Sequence, residues 1–362
     1  MTAMSTIDHS APLSDVTVVD ATTSLGEYAG RLLTDLGATV LRVRTGDSHG
    51  SSHRHTFMNA GKQIHDAEEL AELLTLAQLL LTSEGPAALR SRGLDPARVT
   101  SRHPGLIHVA ISPFGLTGPY ADRPASDLTL MAAGGLLALA GEPDREPVRA
   151  FGEQTAVIAG THAVTAALIA LRILVTEHRG QVVDLSAQEA VAHSIENAAQ
   201  YFDLEGVVRN RVGAGPTEAG TGLFRCADGW IYLVGGLGGK PLAWGAIVDW
   251  LLDGGVVEAA DLGAGAWQQA DFRRTPHACQ LFRTSFEAFA RSRTKSELFT
   301  TGQKRGISVA PVATPQDLLR NPQLVARDYF RTVDVDGRRV TLPGPPYRFR
   351  TSHIGILEEG AS

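Results

Sequence analysis

Cysteine is nearly absent: the 362 residues hold only Cys226 and Cys279, with no CxxC pair. Two isolated thiols, even with His277 two residues before Cys279, build neither a disulfide framework nor a zinc knuckle, so no metal site and a cytoplasmic location are expected. Positive charge is not in excess either. The 33 Lys+Arg are interspersed among 39 Asp+Glu for a net charge of −6, which excludes nucleic acid as the main partner because its footprint needs clustered basic residues. A phosphate-bearing small molecule needs only a few placed donors and stays open. Met1–Asp15 has no basic segment followed by an apolar one, so no secretory signal is expected. The longest apolar stretch, Ala156 to Val175, is broken by Thr161, His162, Thr165 and Arg172. It reads as a buried helix rather than a membrane span, and no membrane partner is expected. There is no GxGxxG, hence no dinucleotide fingerprint, and no internal repeat.

What is present is an α/β rhythm in a chain too long for one ordinary core, so two domains are expected. Val16–Asp20 is a short β-branched run. Tyr28, Leu32, Leu33 and Leu36 then follow at helical spacing, Gly37 ends the helix, and Thr39–Val43 is a second strand. Strand, helix and strand within about thirty residues imply a parallel pair with a right-handed crossover. The turn at Ser24-Leu25-Gly26 opens the helix, where backbone N–H groups can meet a phosphate. A helix is expected over Ala67–Leu74, and strands over Leu79–Leu81 and Leu106–Ile111. The last runs into the turn-rich loop Ser112–Pro119, placed where open α/β sheets bind ligands. A small-residue helix from Leu128 to Ala140, the long helix after Gly160 and a strand at Val182–Ser186 complete the first half. Residues 206–222 are glycine-rich. Leu223–Val234 reads as a hairpin around Ala227-Asp228-Gly229, helices follow to about Phe299, then a strand at Gly306–Pro311, and Asp334–Arg338 marks a final hairpin.

Asp20–Val43 resembles the opening of family III CoA-transferases, the group of formyl-CoA, carnitine and bile-acid CoA-transferases and the methylacyl-CoA racemase. Further matches follow in family order: Asn59-Ala-Gly-Lys62, His103–Ile107, Ser112–Tyr120, Ser126-Asp127, Arg179–Asp184, Ala227–Ile231, Gly306–Thr314, Asn321–Arg327 and Leu342–Pro346. Each is weak alone; the ordered set across nearly the whole chain is specific. The resemblance implies a doubly wound parallel-sheet large domain (1–200 plus 328–362), a linker or Gly-rich loop (201–222), and a smaller inserted α+β domain with its return linker (223–327). It further implies an interlocked dimer acting on acyl-CoA thioesters, with coenzyme A or acyl-CoA as substrate and no tightly bound cofactor. In such enzymes an aspartate attacks the thioester and releases CoA thiolate, giving a mixed anhydride and then an aspartyl-CoA thioester.

This chain departs from that pattern where the chemistry sits. Four residues before Gly160, the nucleophile position is Ala156, whose methyl group forms no anhydride. Of the racemase acid/base pair, the histidine position is Ser126 and the glutamate position falls on Gly238; neither shuttles a proton near neutral pH. Glu153 is the replacement carboxylate to examine, with Gln154 as a donor in the same pocket. Its plain alternative is a capping or solvated glutamate. Asp127 is read mainly as an acceptor for backbone donors at a helix start. His162 reads as a core histidine, and His193 with Glu196 lacks a third metal ligand. For CoA phosphates, Ser24, Leu25, Gly26 and Arg44 (in Arg44-Thr45-Gly46-Asp47) are candidates, with Lys62, Arg90 and Arg102 compensating for basic residues missing after the third strand. Gly213, Gly215, Glu218 and Gly220 mark either a closing loop or an interdomain linker, with Glu218 a weaker candidate carboxylate. Three functions stay open: an acyl-CoA enzyme with a relocated carboxylate, a non-catalytic subunit forming a heterodimer with an Asp-bearing paralogue rather than a homodimer, and a repurposed enzyme whose substrate is not CoA.

Overall fold

The computed structural model describes residues 11–44, 53–213, 215, 218–335 and 337–349. Met1–Ser10, Thr45-Gly46-Asp47 of the loop after the second strand, and Ala214, Pro216 and Thr217 of the glycine-rich stretch lie outside the described residues.

The described chain divides into two compact units. The first comprises the described parts of 1–140, 148–209 and 322–362, the second 141–147 and 210–321. In the first, the chain runs β1 (Thr17–Asp20), α1 (Glu27–Asp35), β2 (Thr39–Val43), α2 (His53–Asn59), β3 (Gln63–His65), α3 (Leu70–Leu76), β4 (Leu79–Thr82), α4 (Pro86–Ser91), α5 (Pro96–Arg102) and β5 (Ile107–Ser112). It continues through α6 (Asp127–Ala133), α7 (Gln154–Glu177), β6 (Val182–Ser186), α8 (Ala187–Ser194) and α9 (Ala198–Glu205). All six strands are parallel in the order β3-β2-β1-β4-β5-β6. Strands β1, β4 and β5 are covered on both faces, which is why they read as near-continuous apolar runs. The order reverses between β1 and β4, and doubly wound sheets bind ligands beyond the carboxyl ends of the strands at that point.

Helix α7 begins at Gln154, six residues before Gly160, and packs an alanine face (Ala159, Ala163, Ala167, Ala170) on the sheet and α1. At Gly160 it crosses α1 so closely that a Cβ would lie 3.0 Å from the Ala29 backbone nitrogen. Among the described residues α7 is the one helix long and apolar enough to cross a membrane; its buried side belongs to the core of this unit. The helix expected from Leu128 to Ala140 ends at Ala133, because Gly134 leaves no room for a side chain against Val191 and Gly135 takes a left-handed φ of 88°.

In the second unit β7 (Thr221–Cys226) and β8 (Gly229–Val234) form the hairpin expected at Ala227-Asp228, followed by the short pair β9 (Gly236–Leu237) and β10 (Lys240–Pro241). Helices α10 (Trp244–Asp253), α11 (Ala270–Arg273), α12 (Pro276–Ala290) and α13 (Lys295–Lys304) lead to β11 (Ser308–Pro311), which pairs antiparallel with β8. Its core is aromatic: Phe224, Trp244, Trp250, Trp267, Phe282, Phe286 and Phe289 pack together. The chain then returns to the first unit, where β12 (Phe330–Val335) and β13 (Arg338–Pro343) make the final hairpin.

The expected linker at 201–222 needs correction at both ends. Residues 201–205 are helical, in α9. Glu218 and Gly220 belong to the second unit, where the buried Glu218 carboxylate accepts from Arg273 at 2.8 Å and Gly220 lies against Trp244. Glu218 therefore balances a fully buried arginine and is not a free carboxylate on a loop.

Candidate active site

The site lies at the carboxyl ends of β1 and β4 in the first unit. There the β1–α1 turn and the β4–α4 turn are tied together: the Thr23 backbone N–H donates to Ser83 Oγ at 2.6 Å, and the two hydroxyls meet at 2.8 Å. Arg92 holds the same edge, donating to the Ala21 carbonyl and pairing with Glu84. Ser24, Leu25 and Gly26 form the turn into α1, with Ser24 exposed. Arg44 follows the carboxyl end of β2 and pairs in solvent with Asp66 at 2.7 Å. Arg90, exposed at the end of α4, lies 3.9 Å from Asp122. These residues remain on the side where a phosphate would arrive.

Two of the expected phosphate ligands do not. Arg102 ends α5, a short turn before β5 starts at Ile107, so it sits at the amino end of the parallel sheet, away from the carboxyl-end crevice. Lys62 is buried. Its ammonium donates to Asp20 Oδ2 at 2.8 Å and to the Glu27 carbonyl at 3.0 Å, with neither side chain exposed to solvent. The reason is visible in β2. Arg42 is an arginine inside a β-branched strand of a sheet covered on both faces, and a buried charge there needs partners. It donates to Asp20 Oδ1 at 2.8 Å, the Thr22 carbonyl at 2.7 Å and Glu27 Oε1 at 3.1 Å. Burial alone would raise the Asp20 pKa, but Lys62 and Arg42 outweigh it and bring it down to about 2. Lys62 completes this network instead of meeting ligand.

The network continues outward through a residue the sequence reading passed over. Arg54, on α2, pairs with Glu27 at the start of α1 and donates to the Ser24 carbonyl at 3.0 Å. Its Nε also donates to Glu153 Oε2 at 2.6 Å. Desolvation works against its charge, but Glu27 and Glu153 more than offset this and keep its pKa above the usual arginine value. Asp20, Glu27 and Glu153 thus alternate with Lys62, Arg42 and Arg54, three charges of each sign from the core to the surface. The signal that would have led to Arg54 was Arg42: a buried strand arginine demands acids, and Glu27, buried at the first turn of α1, then has a second oxygen that needs a cation of its own.

Glu153 is the N-cap of α7 but does not cap it through its side chain. Asp127 does so from α6: its Oδ1 accepts the Thr155 N–H at 2.8 Å, and its own carbonyl accepts the Thr155 hydroxyl at 3.2 Å. Its other oxygen, Oδ2, is buried without a hydrogen bond, 3.8 Å from Arg149. Ser126 caps α6 in a capping box with Thr129. Gln154 donates to the Phe151 carbonyl, bracing the loop before α7. Ala156, in the first turn of α7, is buried. The helix start therefore offers a methyl group at the position of interest, flanked by Glu153, paired with Arg54, and by Asp127, whose Oδ1 caps the helix while Oδ2 has no hydrogen bond. His162 and His193 stack edge to face at 5.3 Å between ring centroids on α7 and α8, and among the described residues no cluster of three metal-ligating side chains occurs.

Two of the motifs prove to be scaffolding. Asp184 on β6 accepts the Leu116 N–H at 3.0 Å and so holds the Ser112–Tyr120 loop, where Gly115 and Gly118 take left-handed φ values of 89° and 95°. In the hairpin, Asp228 accepts the Lys295 N–H at 2.7 Å at the start of α13.

The model of the family described as CoA-transferase family III matches residues 13–359. The succinyl-CoA:(R)-benzylsuccinate CoA-transferase subunit BbsE of Thauera aromatica is 36% identical over 357 residues, covering 92% of this chain and 87% of that protein. The succinyl-CoA–L-malate CoA-transferase alpha subunit of Chloroflexus aurantiacus is 27% identical, covering 93% and 82%. Among solved structures, a CAIB/BAIF family protein from Brucella suis superposes with a TM-score of 0.82 at 24% identity, covering 96% of this chain and 94% of that one.

Proposed function

Because the chain belongs to CoA-transferase family III, we propose that it takes part in CoA transfer between succinyl-CoA and a carboxylic acid as the subunit without an attacking carboxylate, a related chain supplying one. Acyl-CoA transfer is the activity of its relatives. Ala156 carries the reading. It is a buried methyl at the helix-start position where the family pattern needs an aspartate, and no thioester carbonyl is attacked from it. Glu153 is a poor substitute, since it precedes α7, three residues before the nucleophile position, and is aimed at Arg54.

The names of two relatives, one a subunit and one an alpha subunit, support a two-chain enzyme. An interlocked dimer also accounts for apolar side chains left uncovered on the first unit: Phe151 is 98% exposed, and Ile169, Val175, Phe202 and Leu204 are exposed too. In this reading the protein is cytoplasmic, holds no tightly bound cofactor, and meets the CoA phosphates with the Ser24-Leu25-Gly26 turn, Arg44 and Arg90.

The test is to trap the intermediate. The full-length chain, alone and co-expressed with a family member that keeps the aspartate, is incubated with succinyl-CoA, quenched with borohydride and mapped by peptide mass spectrometry. Hydride reduces an activated carboxyl to the alcohol and expels CoA thiolate or succinate, so a side-chain alcohol is expected at the aspartate of the second chain and nowhere on this one. A reduced side chain at Glu153, or at any carboxylate of this chain, would overturn the proposal.

A further inference from the structure

We propose that Arg54 is an anion receptor for the distal carboxylate of the acyl group, and that Glu153 is its built-in occupant, displaced when that carboxylate binds. Two asymmetries carry this. The first is burial. Arg54 holds two glutamates, but Glu27 is only 8% exposed and is also fixed by Arg42, whereas Glu153 is 34% exposed against an Arg54 that is itself 31% exposed. Glu27 cannot leave without stranding Arg42; Glu153 turns into solvent at little cost. An exposed pair of this kind holds its partner by a factor of only about two to five.

The second is charge. The six alternating side chains sum to zero with Glu153 in place; once it swings out, the remaining five carry one net positive charge, centred on Arg54 at the mouth. The amino ends of α1 and α7 both lie there, because Glu27 opens α1 and Glu153 precedes α7, and their dipoles favour a negative group. Glu153 meets the guanidinium fork through one oxygen, Oε2, shared by Nε and Nη2, whereas a ligand carboxylate can engage the fork with both of its oxygens. The site is therefore specific for an acyl chain ending in a second carboxylate rather than for CoA itself. Arg54 is a binding residue in this account, not a nucleophile or acid.

This inference rests on the CoA-transfer reading only for the identity of its ligand, and the experiment separates the two. Binding of succinate, succinyl-CoA and acetyl-CoA to the full-length chain is measured by calorimetry for the wild type, Glu153→Gln, Glu153→Ala, Arg54→Gln and the Arg54→Gln/Glu153→Gln double variant, each checked for an unchanged circular-dichroism spectrum. Removing the Glu153 charge is expected to tighten succinate and succinyl-CoA about fivefold, more at low salt. The double variant should lose that gain, and acetyl-CoA should bind all the variants alike. Glu153→Gln and Glu153→Ala binding succinate no more tightly than wild type, a gain retained without Arg54, or an equal effect on acetyl-CoA would each overturn the receptor. If acetyl-CoA binds no variant while succinate still tightens on Glu153→Gln, the receptor stands and the CoA-thioester reading falls.

Discussion

Replacing Lys62 with methionine separates a structural lysine from a phosphate ligand. The side chains are of similar length, so the change removes a charge and leaves the volume nearly filled. Lys62 and Asp20 are both fully buried at the side chain, and their ion pair is 2.8 Å long. Removing one partner of such a pair costs about 3–5 kcal/mol, because the other charge stays buried and uncompensated. Here Arg42 still touches Asp20, which places the loss at about 3 kcal/mol. For a unit of this size each kcal/mol moves the midpoint by about 2–4 °C, so thermal denaturation followed by far-ultraviolet circular dichroism should fall by about 6–12 °C. Asp20→Asn made together with Lys62→Met removes both charges and should recover part of the loss, the remainder reflecting Arg42, which then keeps only Glu27. A phosphate ligand behaves in the opposite way: its removal leaves the melting point alone and weakens CoA binding. A Lys62→Met protein melting within about 1 °C of wild type, with lowered affinity for CoA, would refute the network.

Other expectations follow from the same contacts. Gly30→Ala should destabilise by at least as much as a lost buried hydrogen bond, about 1–3 kcal/mol in denaturant titration, because its Cβ would fall 2.4 Å from Asp20 Oδ2 and 2.9 Å from Lys62 Nζ. Glu218→Ala should cost about 3–5 kcal/mol in the melting of the second unit, since Arg273 is left buried without its partner. Burial pushes the Asp35 carboxyl up to about 6 despite Arg31, and burial pushes the His108 imidazole down to about 4 despite Asp95. Protonating Asp35 stabilises the fold by about 3 kcal/mol, present below pH 4 and lost as the pH rises through 6; neutral His108 contributes a similar amount, present above pH 6.5 and lost as the pH falls to 4. The two slopes oppose each other between pH 4 and 6.5. Melting of His108→Gln should therefore rise on acidification over that range and melting of Asp35→Asn should fall, and parallel profiles for the two variants would contradict both assignments.

Most of the scaffold was readable because its signals are local. The β1–α1–β2 unit follows from β-branched runs around helical spacing and a terminating glycine, and Ala227-Asp228-Gly229 specifies a two-residue hairpin by turn chemistry alone. Errors fell where a tertiary contact decides. The apolar pattern resumes after Gly134-Gly135 and so reads as one helix to Ala140, yet the pair ends it: Gly135 takes a left-handed φ of 88°, and Gly134 packs on Val191 of α8. The segment 201–205 reads as linker beside a glycine-rich stretch, yet it forms the last turns of α9, closed by Gly206 with a left-handed φ of 67°.

The site divides along the same line. The proposed place of Ala156 at the family's aspartate position is a matter of position in a motif, which a sequence displays. Which cations face ligand is not, because Lys62, Arg44, Arg90 and Arg102 differ only in what lies around them. Lys62 points at Asp20 at the end of β1, and Arg102 is at the wrong end of the sheet. The one usable clue was Arg42 within Thr-Val-Leu-Arg-Val. A charge in a strand covered on both faces must be neutralised, and with Asp20 already shared with Lys62, a second acid is required; Glu27 supplies it and in turn draws in Arg54. Arg42 thus leads through Glu27 to Arg54 and leaves a cation at the mouth of the crevice, beside a helix start whose side chain at Ala156 is a methyl. The charges are anchored in the core of the fold, whereas the attacking carboxylate would hang on a single helix turn, and only the latter can change to alanine without unbalancing what lies beneath.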